Sequence, residues 1–483
     1  MGQHIPEEIL LKIFLCFELP FTAGHTLAAS ETSTSLKTLS AITRCSRDFL
    51  RIAQPILYKT LYVHSITQCC HLLEVFKRQP ALGLHVRHLQ VSKAYQITSG
   101  ATIDKWIEGF EGLSPAELQR RPLWVELQNH TLDDFRHRCA QGKVSVLLIF
   151  LQNLEELDLC LGRHHEPIST LFQIVTKDIN TYQARLPSSG TPLARLIARL
   201  MSTLRFSNLR TVVLSHSSSE RTLDRLDATM IPSILRLPNL QALSVKKVSW
   251  LTGPTPRLYE APRLQRLEVD FTQVQMRALL LLLHHCTGIR SLKVTVYEDE
   301  NGITMTRYLL GQIGATLRHL GYIHLEELDI SGLYVPVRGG FDHVFGSLRG
   351  LKNLKRLRIA VQDLSGERVH WPKNPHDILT LYDGRRVMNL NAELPLSLES
   401  IHFQLRRLDY GLENRYTHNQ VAYMITNASR ASLREVRFED PTGYMYIERH
   451  GGRNSWRLRG TTNVHALFCW AYAALIQRLN NAT

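Results

Sequence analysis

The sequence predicts a mixed α/β protein: a short N-terminal helical module, then strands and helices alternating to build one curved parallel sheet with the helices outside. Two observations carry this. A Leu-x-x-Leu-x-Leu spacing, with Val, Ile or Phe allowed, recurs ten times between Val86 and Phe438. The residues before Tyr58 instead carry signals for starting three helices.

Pro6 has the fixed backbone angle that suits the first turn of a helix, where a missing N–H costs nothing. Glu7 and Glu8 place negative charge at the positive end of the helix dipole. Ile9, Leu10, Ile13, Phe14 and Phe17 then fall on one face. Thr34 or Ser35 can cap a second helix carrying Leu36, Leu39, Ile42 and Cys45. Ser46 can cap a third, which carries Phe49, Ile52 and Ala53 and is expected to stop near Pro55. Three helices of this size bury little surface alone, so their generous apolar faces suggest docking on another surface.

The stretch Ile5-Pro6-Glu7-Glu8-Ile9-Leu10, with Ile13-Phe14, Ile42-Thr43-Arg44-Cys45-Ser46-Arg47-Asp48-Phe49 and Ala53-Gln54-Pro55-Ile56-Leu57-Tyr58, resembles an F-box. That motif hooks a substrate receptor to the Skp adaptor of a cullin–RING ubiquitin ligase. Two departures stand out: Ile5 where Leu is commoner, and a longer connection over Glu18–Thr34. The resemblance implies that Ile5, Pro6, Ile9, Leu10, Ile13, Phe14, Leu39, Ile42, Cys45 and Phe49 meet the adaptor, and through it a cullin. The plainer alternative is an N-terminal helical cap on a larger domain.

The triplets are Val86-Leu89-Val91, Leu154-Leu157-Leu159, Leu209-Val212-Leu214, Leu240-Leu243-Val245 and Leu264-Leu267-Val269. Then come Ile289-Leu292-Val294, Leu325-Leu328-Ile330, Leu354-Leu357-Ile359, Leu398-Ile401-Phe403 and Leu433-Val436-Phe438. Their last two positions alternate with polar residues, as in a strand with one buried face. Helix-like text precedes several: Leu193–Leu200, Met276–His284 and Phe341–Leu348. With periods of about 24 to 36, this pattern resembles leucine-rich repeats. The usual Asn or Cys three positions past each triplet is missing; Gly162, Ser217, Val248 and Thr272 stand there. The side-chain ladder that satisfies the loop backbone is therefore expected to be absent or replaced.

The chain divides on this reading into the helical module at 1–62, an irregular repeat solenoid at 63–464 and a C-terminal capping helix at 465–483. Insertions interrupt the array at Lys93–Lys143, Arg163–Thr191 and Val361–Leu394. Asp440–Thr462 reads as a β-hairpin turning at Gly451-Gly452.

The composition, 44% apolar and 21% charged over 483 residues, is that of a globular protein. No apolar run reaches the roughly 20 residues of a membrane span. The N-terminus lacks a basic region followed by an apolar one, so no secretory signal is read. Eight scattered cysteines without Cys-x-x-Cys read as reduced and mostly buried, which suits cytoplasm or nucleus.

An enzyme should leave a constellation of reactive residues, and the sequence holds no phosphate-binding loop, nucleophile elbow or His-Glu-x-x-His. His284-His285-Cys286 is the nearest approach to a metal cluster, but adjacent helical residues point about 100° apart. The expectation is a binding protein without catalytic residues, metal or cofactor.

The net charge is +14. On the polar face of the predicted strands, however, Glu156, Asp158, Glu268, Asp270, Glu327, Asp329, Glu435 and Glu439 oppose Lys246, Arg266, Lys293, Arg356, Arg358 and Arg437. That face is no basic trough, which weighs against nucleic acid. Arg356 and Arg358 could grip a phosphate or carboxylate, or simply pair with neighbouring strands. Tyr446 and Trp456 in the hairpin combine aromatics with arginines, a composition common in binding hot spots. These four are the candidate substrate contacts. The expectation is a ubiquitin-ligase substrate receptor for an unknown protein, with a repeat scaffold that assembles complexes without ubiquitin transfer as the alternative. A basic nucleic-acid-associated protein is the third reading.

Overall fold

The computed structural model describes residues 6–18, 29–92, 140–161, 206–216, 226–227, 230–249, 263–273, 276–296, 312–331, 345–360, 390–404, 432–440, 443–450 and 455–460. Positions 168, 171–172, 175, 424 and 477 are described singly. The chain forms two compact units: Met1–Val248 with Tyr259–Arg263, and Ser249–Leu258 with Leu264–Thr483.

The first unit opens with α1 (Glu7–Leu15), α2 (Ala29–Ile42) and α3 (Arg47–Lys59). Pro6 stands just ahead of α1, as its angle requires. Ser46 caps α3, accepting from the Phe49 N–H at 3.1 Å. Two boundaries differ from the sequence reading. Helix α2 begins five residues before Thr34, and Cys45 lies in the turn beyond it. Inside the helix the hydroxyl of Thr38 donates back to the Thr34 carbonyl at 3.0 Å, so these side chains bond the turn behind them. Helix α3 runs through Pro55 to Lys59. Burial of Ile52 and Ala53 before the proline and Ile56 after it holds the helix on, against the cost of the missing N–H.

Strand β1 (Thr60–Val63) follows without a break, then α4 (Ile66–Arg78), β2 (His88–Val91), α5 (Ala140–Phe150), β3 (Glu156–Leu161) and β4 (Thr211–His216). The two-residue β5 (Leu226–Asp227), α6 (Ile231–Leu235) and β6 (Ala242–Ser249) complete the series. Strands β1, β2, β3, β4 and β6 pair in parallel in chain order. Strand β1 went unread because its triplet is Tyr58-Leu61-Val63, with an aromatic in the first place.

The second unit carries β7 (Arg266–Gln273), α7 (Met276–His285), β8 (Ser291–Val296), β9 (Glu327–Ser331), β10 (Arg356–Ala360), α8 (Leu390–Glu393), β11 (Ser400–Gln404) and β12 (Glu435–Asp440). A further helical stretch covers 312–319. Strands β7 to β12 are parallel neighbours in chain order. Antiparallel β13 (Gly443–His450) and β14 (Ser455–Gly460) form the expected hairpin on β12. Residues 345–348, expected to be helical, form neither helix nor strand: Gly346 takes a φ of +80° and the Leu348 N–H donates to the Glu393 carbonyl at 2.9 Å. The expected capping helix apart from position 477, the insertions at 93–139, 176–191 and 361–389, and the helix at 193–200 lie outside the described residues.

Equal triplet positions face each other across the parallel pairs, as in Leu357 with Ile401 and Ile359 with Phe403. In the ten triplets from Val86 to Phe438, no side chain is more than 2% exposed. At eight steps one carbonyl accepts two N–H groups from the next strand; that of Arg87 takes Glu155 and Glu156, at 2.7 and 3.0 Å.

The missing Asn ladder is replaced on the opposite edge, by an Asn or Ser just before six of the ten triplets. The Asn153 amide donates to the Leu84 carbonyl (2.9 Å), Asn208 to the Asn153 side chain (3.3 Å), and Asn239 to the Ser207 carbonyl (2.5 Å). In the second unit Asn353 donates to the Ile323 carbonyl, Ser397 to Leu354 (2.8 Å) and Ser432 to Leu396 (2.5 Å). Turn carbonyls cut off from a strand partner are thereby satisfied.

Candidate functional site

The N-terminal helices close a small core of their own from Leu10, Phe14, Leu39, Ile52, Ala53 and Ile56. Phe17, Ile42, Phe49 and Leu57 pack partly buried against it, with the Phe14 and Phe49 rings edge to face at 5.5 Å. The bidentate pair of Arg51 with Glu7 (3.0 and 2.6 Å) ties α1 to α3. That contact holds the Glu7 carboxyl below its ordinary range. Lys59 and Glu18 meet at 2.5 Å on the same module.

Of the residues the sequence assigned to adaptor docking, Pro6, Ile9, Ile13 and Cys45 are exposed, whereas Leu10, Phe14 and Leu39 are interior. Ile42 and Phe49 are half-buried, and Ile5 lies outside the described residues. Three further exposed side chains were missed: Leu11, Leu15 and Leu50. The signal for Leu11 and Leu15 was available. Six of the nine residues of α1 are large and apolar, and one packed face covers a stripe of only about 100°. Ile9 and Ile13 therefore flank the buried stripe on one side, and Leu11 and Leu15 on the other.

The polar face of the strands differs between the two units. In the first it is largely covered: Thr60, Tyr62, Gln90, Asp158, Cys160 and Ser244 are buried, while His88, Glu156, Thr211, Ser215 and Lys246 are half-buried. Gln90 there donates to the Asp158 carboxylate at 2.9 Å. In the second unit the corresponding Glu268, Lys293, Asp329, Arg358, His402 and Arg437 are half-buried and reach solvent.

Those charges are cross-linked between strands. Lys293 donates to Glu268 at 2.7 Å. Arg358 lies 3.6 Å from Asp329 on one side and donates to Glu439 at 3.0 Å on the other. His402 Nε2 sits 2.6 Å from the same Glu439 carboxylate. Burial first, and then the Arg358 charge, push the His402 imidazole down to about 4, against the pull of Glu439. Arg356 binds Glu327 while staying largely exposed. Both arginines proposed as an anion grip are thus met by carboxylates of neighbouring strands.

The β13 register sets Tyr446 beside Arg437 and Arg459, while Trp456 pairs with Arg449. Strand alternation places these two positions on opposite faces of the ribbon.

His284 and His285 sit at the end of α7 with rings nearly perpendicular, and burial pushes the neighbouring Cys286 thiol up to about 12. Cys69 and Cys70 are buried in α4, where the Lys143 ammonium lies 3.1 Å from the Cys70 sulfur. Among the described residues, no group of His, Cys, Asp and Glu is arranged to hold a metal ion, and no helix is long and apolar enough to cross a membrane. Compared with family models and with curated proteins, the chain gives no match.

Proposed function

We propose that this chain is a substrate receptor of an SCF-type cullin–RING ubiquitin ligase. Its N-terminal helices act as an F-box on a Skp adaptor, and its strands and helices act as an irregular leucine-rich-repeat solenoid that holds the substrate. Ubiquitin transfer takes place on other subunits. The receptor contributes proximity, raising the effective concentration of substrate near the ubiquitin carrier.

The observation that carries the reading is the outer surface of the helical module. Its core is already closed, yet Ile9, Leu11, Ile13, Leu15 and Leu50 remain 40–46% exposed. Apolar side chains concentrated on so small a unit mark an interaction site. The open, charge-balanced strand face of the second unit supports a protein substrate over nucleic acid.

The test is binding of the full chain to a purified Skp adaptor, beside the double variant Ile9→Asp and Ile13→Asp. Both positions are exposed, so the variant keeps its fold. Tight binding by the wild type and its loss in the variant are expected. A folded wild-type chain that ignores the adaptor would overturn the receptor reading and leave a repeat scaffold.

A further inference from the structure

Outside the N-terminal helices, the large apolar side chains exposed among the described residues are Leu84, Ile323 and Leu396. All three hold the same place in the repeat, two residues before a triplet: ahead of Val86, Leu325 and Leu398. The backbone explains why they stay outside. The Leu84 carbonyl accepts from Asn153, that of Ile323 from Asn353, and that of Leu396 from Ser432. Each turn is pinned by the next repeat. The neighbours Tyr322 and Pro395 fill the interior, so Ile323 and Leu396 are held outward, 60% and 58% exposed.

Ile323 and Leu396 belong to the second unit, on the turns leading into β9 and β11. Strand β10 lies between those two in the sheet. Two strand spacings put the apolar residues about 10 Å apart. The equivalent place on the intervening turn is Lys352, also exposed. Along the same edge the exposed cations are Arg290, Arg349, Lys352, Lys355 and Arg434, against the half-buried Glu326, Glu393 and Glu399. Glu326 is already engaged by Lys355 at 2.9 Å and Arg290 at 3.8 Å.

We infer that this edge of the second unit is a docking surface for an acidic helical segment carrying two apolar anchors seven residues apart. Seven residues of α-helix rise about 10.5 Å, which matches the spacing of Ile323 and Leu396. Residues three and four positions after the first anchor lie on the same helix face, over Lys352. A carboxylate there completes the match. Glu326, Glu393 and Glu399 among the cations disfavour a continuous anionic surface such as a membrane. The inference does not depend on the receptor reading, because this edge needs no adaptor to form.

The experiment measures binding of the full chain to a fluorescent helical peptide with leucines at i and i+7 and glutamates at i+3 and i+4. Ile323→Asp or Leu396→Asp is expected to weaken binding roughly tenfold each, since each loses a buried apolar anchor. Lys352→Glu is expected to lose the glutamate peptide and to gain a partner peptide with lysine at i+3 and i+4. Thermal melts of the three variants check that each remains folded. Absence of peptide binding, binding indifferent to the variants, or equal binding of the lysine peptide by the wild type would each overturn the inference. Retention on phosphatidylserine vesicles without peptide binding would overturn it in favour of a lipid surface. The same preparations assayed against the Skp adaptor keep failure of the receptor reading separate.

Discussion

Arg358 of β10 reaches past β11 to donate to the Glu439 carboxylate of β12 at 3.0 Å, with His402 of β11 lying 2.6 Å from the same carboxylate. One carboxylate thus ties three strands together. The imidazole is left next to a guanidinium in partly buried surroundings, and it favours the neutral form.

The pH dependence follows from that preference. The folded-state pKa of His402 is pushed below its unfolded value of 6.5, to about 4. Its contribution is fully present above pH 6.5 and is lost as pH falls from there towards 4. Replacing Arg358 with Gln removes a charge that opposes protonation, so the imidazole should titrate closer to its ordinary value and the acid-side loss should flatten. NMR titration of His402, with melts from pH 7 to 4, checks both.

Inner and outer residues of α1 should separate cleanly. Leu10→Ala or Phe14→Ala opens a cavity in the small core and should cost about 2–5 kcal/mol, read by denaturant unfolding of the helical module. Ile9→Asp and Ile13→Asp should leave the melt nearly unchanged while abolishing adaptor binding. A charge at Leu10 would confuse the two effects, because its side chain is interior.

The Asn ladder makes a graded prediction. Asn153→Ala removes the donor to Leu84 and the acceptor for Asn208, and should cost more than Asn353→Ala, which removes one bond. About 1 kcal/mol per hydrogen bond is expected, measured by urea unfolding.

Gly314 and Gly350 should respond oppositely to alanine. A Cβ at Gly314 would run into the Phe345 carbonyl, part of the backbone, so Gly314→Ala should destabilise by about 1–3 kcal/mol. A Cβ at Gly350 meets nothing within 4 Å, and Gly350→Ala should be neutral or slightly stabilising. Melting temperatures of the two variants decide the matter.

The strands were legible because each triplet needs only local spacing: three apolar positions with polar residues between them, repeated with little variation. The hairpin was legible for the same reason, through its alternation and paired glycines. The boundaries of α2 and α3 were not, since packing on Ile52, Ala53 and Ile56 overrides the proline that local rules read as a stop. The ladder was missed because its Asn and Ser residues precede the triplets, whereas the resemblance directed attention to the positions after them.

By itself the sequence determined the order of elements, the apolar rows inside the sheet and the helical character of the N-terminus, all properties of periodicity along the chain. Tertiary structure decided that both apolar flanks of α1 face outward, that Arg356 and Arg358 are met by carboxylates from other strands, and that the polar strand face is largely covered in the first unit and open in the second. Those outcomes depend on contacts between residues distant in sequence, where burial and charge pairing are set by neighbours that no local pattern names.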